Sequence, residues 1–253
     1  MSIIAPGLSR LLQFYLSGPM PCPYLPDRVE RKLFARLNGE DAPDREVNAT
    51  LTRAGFRRSH DIVYRPACPS CKACLPVRIP VAAFRPSRSL RRIAARNRDL
   101  TLHIADTALT DETYELFMAY QTGRHPDSDM AQMTRADIAA MLQEGAVDTR
   151  VYQLRGPAPD DALGPLMGGI IADQVKDGLS AVYSFFRPDA PRRSLGAQLI
   201  LTLIAEAARQ ELPYVYLGYW IREARKMSYK IRFHPLQSLG PQGWDWLEPP
   251  AGA

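Results

Sequence analysis

The chain is poor in cysteine and histidine, and it has no long apolar run. Four cysteines in 253 residues are too few for a disulfide scaffold. No apolar stretch approaches the length of a transmembrane helix. The first residues, Met1 to Gly7, lack the charged start and apolar core of a secretory signal. A cytoplasmic protein with no membrane partner is therefore expected. The sequence also lacks Gly-x-x-x-x-Gly-Lys-Ser/Thr, Gly-x-Ser-x-Gly and His-Glu-x-x-His, which weakens nucleotidase and hydrolase readings. The four histidines (60, 103, 125 and 234) show no metal-site spacing. No internal repeat is present, and low complexity is confined to a short Pro/Gly/Ala tail.

What the chain does have is uneven charge. Against a formal net charge of +5, residues 1–104 carry 18 Lys+Arg and 8 Asp+Glu, while residues 105–253 carry 14 and 19. Such asymmetry points to a polyanionic partner for the first part. Arg85, Arg88, Arg91, Arg92, Arg96 and Arg98 fall within 14 residues that contain no acid, a density able to track a phosphate backbone. A second basic–aromatic stretch runs from Tyr214 to Phe233. Aromatics interleaved with cations suit an unpaired nucleic-acid end, although Tyr216 and Phe233 are expected in the core.

Pattern reading predicts an extended Pro-rich start and a helix over Arg28–Leu37, capped by Asp27 and stopped by Asn38-Gly39. A helix over 47–54 follows, then strands near Ile62–Tyr64 and Leu75–Phe84, the second pushed to a sheet edge by Pro76 and Pro80. A short helix or turn leads into a strand at Leu100–Ile104. Helices are expected over Thr110–Gln121, capped by Thr110, and over Thr134–Gln143. Strands at 151–154, 166–174 and 179–186, a helix over 195–209 and a strand over 213–219 complete the pattern. The fold class read from this is α+β, with a smaller N-terminal domain (1–98) and a C-terminal domain (99–253).

Residues 166–219 resemble the core of GNAT acyltransferases, in which a loop entering the helix cradles a phosphate on backbone N–H groups. Arg193 and Gly196 fit that loop, but Gln198 stands where a small residue is usual. Cys68, Cys71 and Cys74, with Cys22 as a fourth thiol, are candidate ligands for zinc or an iron–sulfur cluster; reduced cysteines packed around a loop are the alternative.

Several blocks, in fixed order, resemble the arginyl-tRNA–protein transferases. They are Cys22–Pro26, Gly55–Ser59, Tyr64–Cys68, Ser184–Phe186, Leu217–Ile221 and Lys226–Lys230. The short length and the Cys-x2-Cys-x2-Cys run are similar to the bacterial aspartate/glutamate leucyltransferase branch. The resemblance implies transfer of leucine from Leu-tRNA to the N-terminal amine of proteins beginning with Asp or Glu, marking them for N-end rule degradation. It agrees with a GNAT-like C-terminal domain in which an aminoacyl-tRNA end replaces coenzyme A; because an aminoacyl ester is already activated, no cofactor is expected to be required.

For such a reaction Lys226, Tyr229 and Lys230 are assigned to the ester and terminal adenosine. Arg57, Arg58, Arg65 and Arg78 are candidates for the acidic side chain or tRNA phosphates, and Tyr219 and Trp220 for stacking on a base or lining the leucyl pocket. An arginyl donor, an acetyl-CoA-dependent N-acetyltransferase and a non-enzymatic metal–cysteine nucleic-acid-binding module are the competing readings.

Overall fold

The computed structural model describes residues 12–37, 43–126, 128–143, 147–159 and 162–248. Met1–Gly7, the helix stop at Asn38-Gly39 and most of the Pro/Gly/Ala tail lie outside them. In chain order the elements are β1 (Tyr15–Leu16), β2 (Met20–Pro21), β3 (Val29–Glu30), β4 (Lys32–Arg36), α1 (Pro43–Arg53), β5 (Arg57–Ser59), β6 (Ile62–Pro66), β7 (Leu75–Pro80) and α2 (Arg88–Arg96). Then come β8 (Thr101–Ala105), α3 (Asp111–Arg124), α4 (Arg135–Gln143), β9 (Asp148–Arg155), β10 (Leu166–Val175), β11 (Gly178–Phe186), α5 (Leu195–Arg209), β12 (Tyr214–Trp220), β13 (Gln237–Gly240) and β14 (Gly243–Trp246). A 3-10 segment, Arg225–Phe233, joins β12 to β13.

An eight-stranded mixed sheet in the order β14-β13-β7-β12-β11-β10-β9-β8 forms the frame. Adjacent side chains of a strand face opposite ways, and β10 shows the result. Ile170 joins Leu199, Leu203 and Ala207 of α5 and Leu90 and Ile93 of α2 in one core. Ile171 joins Phe117 of α3 and Ile138 and Met141 of α4 in the other. Residues on the N-terminal side of 98 thus supply both a strand (β7) and a covering helix (α2) to the large sheet. The small sheet, β1-β4-β6-β5, packs with α1 through Ala35, Leu37, Val47, Leu51, Phe56 and Val63.

Two expectations are corrected. Residues 28–37 form no helix: β3 and β4 occupy the span, and Leu33, Ala35 and Leu37 alternate onto the α1 side. A period of two on a strand paired to both β1 and β6 overrides the helical spacing of Val29, Leu33, Phe34 and Leu37. Asp27 caps nothing there; it takes a left-handed conformation (φ 57°) in the turn between β2 and β3. Nor is β7 an edge strand, since it lies between β12 and β13. Its pairing with β13 is confined to Val77 and Arg78, so the donors missing at Pro76 and Pro80 are not needed on that side. The remaining helices and strands of residues 99–220 lie within a few residues of their expected positions, with Thr110 capping α3 as expected.

The small sheet is riveted to the large one by an internal ion pair. Arg58 donates from Nε and one terminal nitrogen to Asp173, both at 2.7 Å, and Thr149 bonds both partners. Both side chains are buried. Removing one partner leaves the other charge uncompensated, at a cost of about 3–5 kcal/mol. Arg58→Met should therefore lower unfolding free energy by that amount in urea titration; a loss below about 1 kcal/mol, the value of an exposed pair, would show that the rivet is not tight.

Candidate active site

Strands β11 and β12 run parallel, but they pair only from Gly178/Tyr214 to Ser180/Tyr216. Beyond that level both strands continue and their pairing stops. Each carries an irregularity at this point. In β11, Val182 is skipped by the register with β10, where Ile171 pairs Tyr183 and Ala172 pairs Ala181. In β12, Leu217 is skipped by the register with β7, and Gly218 takes φ +71°. A bulge turns its strand locally, so two facing bulges open a wedge between the strands.

Arg57 fills the apex of this wedge. Its position begins at the end of α1, where Gly55 (φ +83°) accepts a left-handed conformation and Phe56 N–H bonds the Leu51 carbonyl at 2.9 Å. With Gly55 N–H on Thr52 O at 3.0 Å this is a Schellman end, and it launches β5 toward the large sheet. One terminal nitrogen of Arg57 then donates to the Ala181 and Val182 carbonyls at 3.2 and 2.8 Å, acceptors that the splay has deprived of strand partners. The guanidinium crosses Gly218 so closely that a Cβ there would lie 2.3 Å from it. Glycine is thus required at 218 twice over, for φ and for space. Among the described residues no carboxylate pairs with Arg57.

Lys230 comes to the same place from the 3-10 segment. It is 2% exposed, and its Nζ donates to the Tyr219 carbonyl. Burial, with the nearby Arg57 charge added, holds it well below the usual lysine range. Tyr219 donates its hydroxyl to the Gly55 and Tyr64 carbonyls at 2.9 and 3.1 Å, and burial pushes its own ionisation far up. Tyr24, raised to about 12 by burial, feels the Arg57 charge as well. Tyr229 is 43% exposed, and desolvation raises its hydroxyl. Lys226 is exposed. Its charge, after burial, helps hold His125 below the usual histidine range, and His125 lies edge-on to Tyr120, itself 4.7 Å from Phe186.

The other expected site residues divide. Arg65 is exposed over the Phe56 ring, and its charge reaches Tyr219. Gly196 opens α5 against the end of β11, where a Cβ would meet the Phe186 ring at 2.9 Å. Arg193 is held by Asn97 at 2.8 Å and by Asp99. Arg58 is engaged with Asp173 and not available to a substrate. Arg78 is likewise internal, packed on Tyr214 and Trp244 at 3.5 and 4.4 Å and bonded to Gln237. Tyr219 and Trp220 are buried, leaving neither ring a face for a base; Trp220 borders a groove of about 170 Å³ with Lys72, Leu75, Arg222 and Leu247. Tyr216 and Phe233 are in the core as expected. Tyr24, Tyr120, His125 and Tyr183 are neighbours that sequence reasoning missed, although Tyr24 lies inside the Cys22–Pro26 block and Tyr183 directly precedes Ser184–Phe186.

The four thiols share one neighbourhood. Burial pushes Cys74 up to about 11, with contributions from Cys22, Cys68 and Cys71. Cys71 is lowered, first by a backbone bond from Ala73 and then by Arg28, whose guanidinium donates to its Sγ at 3.2 Å. Among the described residues no group of three or more His, Cys, Asp or Glu is arranged to hold a metal ion. Cys22, Cys71 and Cys74 pack against Leu25, Ile221 and Ala224.

Two family models cover this frame: "Arginine-tRNA-protein transferase, N terminus" over residues 20–92 and "Arginine-tRNA-protein transferase, C terminus" over 112–240. The chain belongs to this family. Among its relatives, the "Aspartate/glutamate leucyltransferase" of Nitrobacter hamburgensis is 50% identical over 92% of this chain and 91% of the relative. The protein of that name from Paramagnetospirillum magneticum is 47% identical over 95% and 96%. The L-PGS structure from Bacillus licheniformis matches with a TM-score of 0.50 at 13% identity, covering 66% of this chain and 59% of that one, which shows a shared fold. The transferase is thus an enzyme, and the family and its relatives support neither the non-enzymatic module nor the acetyl-CoA reading. Among the described residues, no helix of the transferase is long and apolar enough to cross a membrane.

Lys230 gives the transferase a pH signature. The unfolded chain takes up the lysine proton near pH 10.4, whereas the folded chain takes it up only at lower pH. Between those values the unfolded state binds more protons, so stability rises with pH. Measured by thermal unfolding, wild type should gain stability relative to Lys230→Met as pH is raised from 7 toward 10; a pH-independent difference would show that Lys230 is not desolvated.

Proposed function

We propose that the chain moves leucine from Leu-tRNA to the N-terminal amine of proteins beginning with Asp or Glu, in the cytoplasm and without a required cofactor. The reading rests on Arg57: a half-buried cation at the apex of the β11/β12 wedge, with no acid paired to it among the described residues. Such a group pairs strongly with a carboxylate because the competing water is partly excluded. The acceptor's Asp or Glu side chain supplies that carboxylate, which places its α-amine in the wedge.

The chemistry then asks for alignment more than for activation. The neutral amine attacks the ester carbonyl. The new C–N bond forms, the C–O bond to the terminal ribose breaks, and the proton the amine sheds is delivered through solvent to the departing ribose oxygen, which leaves as a hydroxyl. An α-amino pKa of about 7.7–8.0 leaves neutral amine available near pH 7. Lys226 and Tyr229 are assigned to the ester and its developing oxyanion. Lys230, buried on the Tyr219 carbonyl, is a positioning residue that fixes β12 beside Arg57.

The test offers leucyl- and arginyl-tRNA with peptides starting in Asp, Glu, Asn or Gln. Wild type should add leucine to the acidic pair. Loss of a charge-assisted bond worth about 1.5–3 kcal/mol means that Arg57→Gln should lower transfer to Asp and Glu by roughly tenfold to over a hundredfold and narrow the Asp/Asn ratio, with partial recovery in Arg57→Lys. An unchanged Asp/Asn ratio in Arg57→Gln would place the selecting cation elsewhere.

A further inference from the structure

The arginines of α2 take no part in the site just described, and the fold gives them no internal role of comparable weight. Arg85, Arg88, Arg91, Arg92, Arg96 and Arg98 are all exposed. The helix is fixed from its other face, where Leu90 and Ile93 enter the core. No acid pairs with any of the six among the described residues, and Arg88, Arg92 and Arg98 make no side-chain hydrogen bond at all. Like charges on one short helix repel each other, so an anion bound on this face would relieve them. Arg88, Arg92 and Arg96 share a side, spaced about 6 Å apart along the axis.

The helix is also aimed. At its end Asn97 donates to the Arg193 carbonyl at 2.9 Å and accepts from the Arg193 side chain at 2.8 Å, and Arg96 donates to the Arg192 carbonyl. These bonds tie the end of α2 to the start of α5. That first turn of α5 in turn lies on Phe186, the last residue of β11 and one wall of the wedge. The arginine row therefore leads from outer surface to reaction site.

We infer that α2 is the docking surface for the backbone of the donor's acceptor stem, the terminal nucleotides passing Arg96 and Arg192 toward the wedge while the stem lies along Arg92, Arg88 and Arg85. The inference rests on the leucyl-tRNA reading above. Its partner is an RNA backbone and not the acidic acceptor protein, because a row of cations at helical spacing matches a regular polyanion, whereas the acceptor needs recognition of one carboxylate beside its amine.

The experiment compares two donors, full-length Leu-tRNA and a leucylated three-nucleotide 3′ end too short to reach Arg88. The variants are Arg88→Gln/Arg92→Gln, which removes no internal bond, and Arg88→Lys/Arg92→Lys. The glutamine pair should raise KM for Leu-tRNA about tenfold or more with kcat kept, and should leave the short donor's kcat/KM unchanged. It should also flatten the slope of log affinity against log salt by about 2, since each duplex phosphate contact contributes about 0.9. The lysine pair should restore both values. Equal losses on both donors, no loss on either, or a rise in the acceptor peptide's KM instead would each overturn the surface. Failure of the unmodified protein to transfer leucine from either donor would overturn the functional reading itself, a separate result.

Discussion

The interaction on which the site depends is the contact of the Arg57 guanidinium with two backbone carbonyls of β11. Parallel strands that part in mid-sheet leave polar backbone groups facing each other across a gap, and such groups need partners. Arg57 supplies the donors for Ala181 and Val182. The glycine at 218 lets the side chain lie flat on β12, and the Schellman end at Gly55 determines where β5 begins. One cation thereby stabilises an opening in the sheet and gives it a sign. Around it the structure places phenols whose ionisation burial suppresses and a lysine whose protonated form burial disfavours.

The same segment explains why the small sheet is attached where it is. Arg57 and Arg58 are neighbours on β5, and a strand sends neighbouring side chains to opposite faces. Arg58 is drawn into Asp173 and anchors the small sheet to β10, while Arg57 goes to the wedge. Anchor and functional cation are one residue apart, so the ion pair fixes the placement of the site. The Lys230 bond to the Tyr219 carbonyl does similar work from the opposite wall.

Much of this was legible in the sequence and some was not. The elements from β8 through β12 follow from caps, turns and periodicity, because each has enough residues for its period to register and most pack against their chain neighbours. Residues 28–37 misled because Leu33 and Leu37 fit both periods, and the choice was made by pairing with β1 and β6 on either side. Pro76 and Pro80 pointed to an edge because local chemistry does not reveal how few bonds β13 would ask for. Among the site residues, Arg57, Arg58 and Arg78 look alike in sequence. What separates them is a partner more than a hundred residues away, Asp173 for Arg58 and Tyr214 and Trp244 for Arg78. Arg57 hydrogen-bonds only backbone carbonyls among the described residues, which leaves its charge for the role proposed. The six arginines of residues 85–98 were legible as a cluster without acids, and the structure adds their direction.

The central claim is that aminoacyl transfer takes place in the wedge between β11 and β12. The most direct measurement is a crystal structure of the protein with adenosine carrying leucine on a 3′-amide, which mimics the donor end but cannot transfer. The account predicts the leucyl amide lying between the two strands, its carbonyl on the side of Tyr229 and Lys226 and its amine-facing side open toward Arg57. A well-ordered leucyl-adenosine in the groove at Trp220 and Lys72, with the wedge undisturbed, would contradict it.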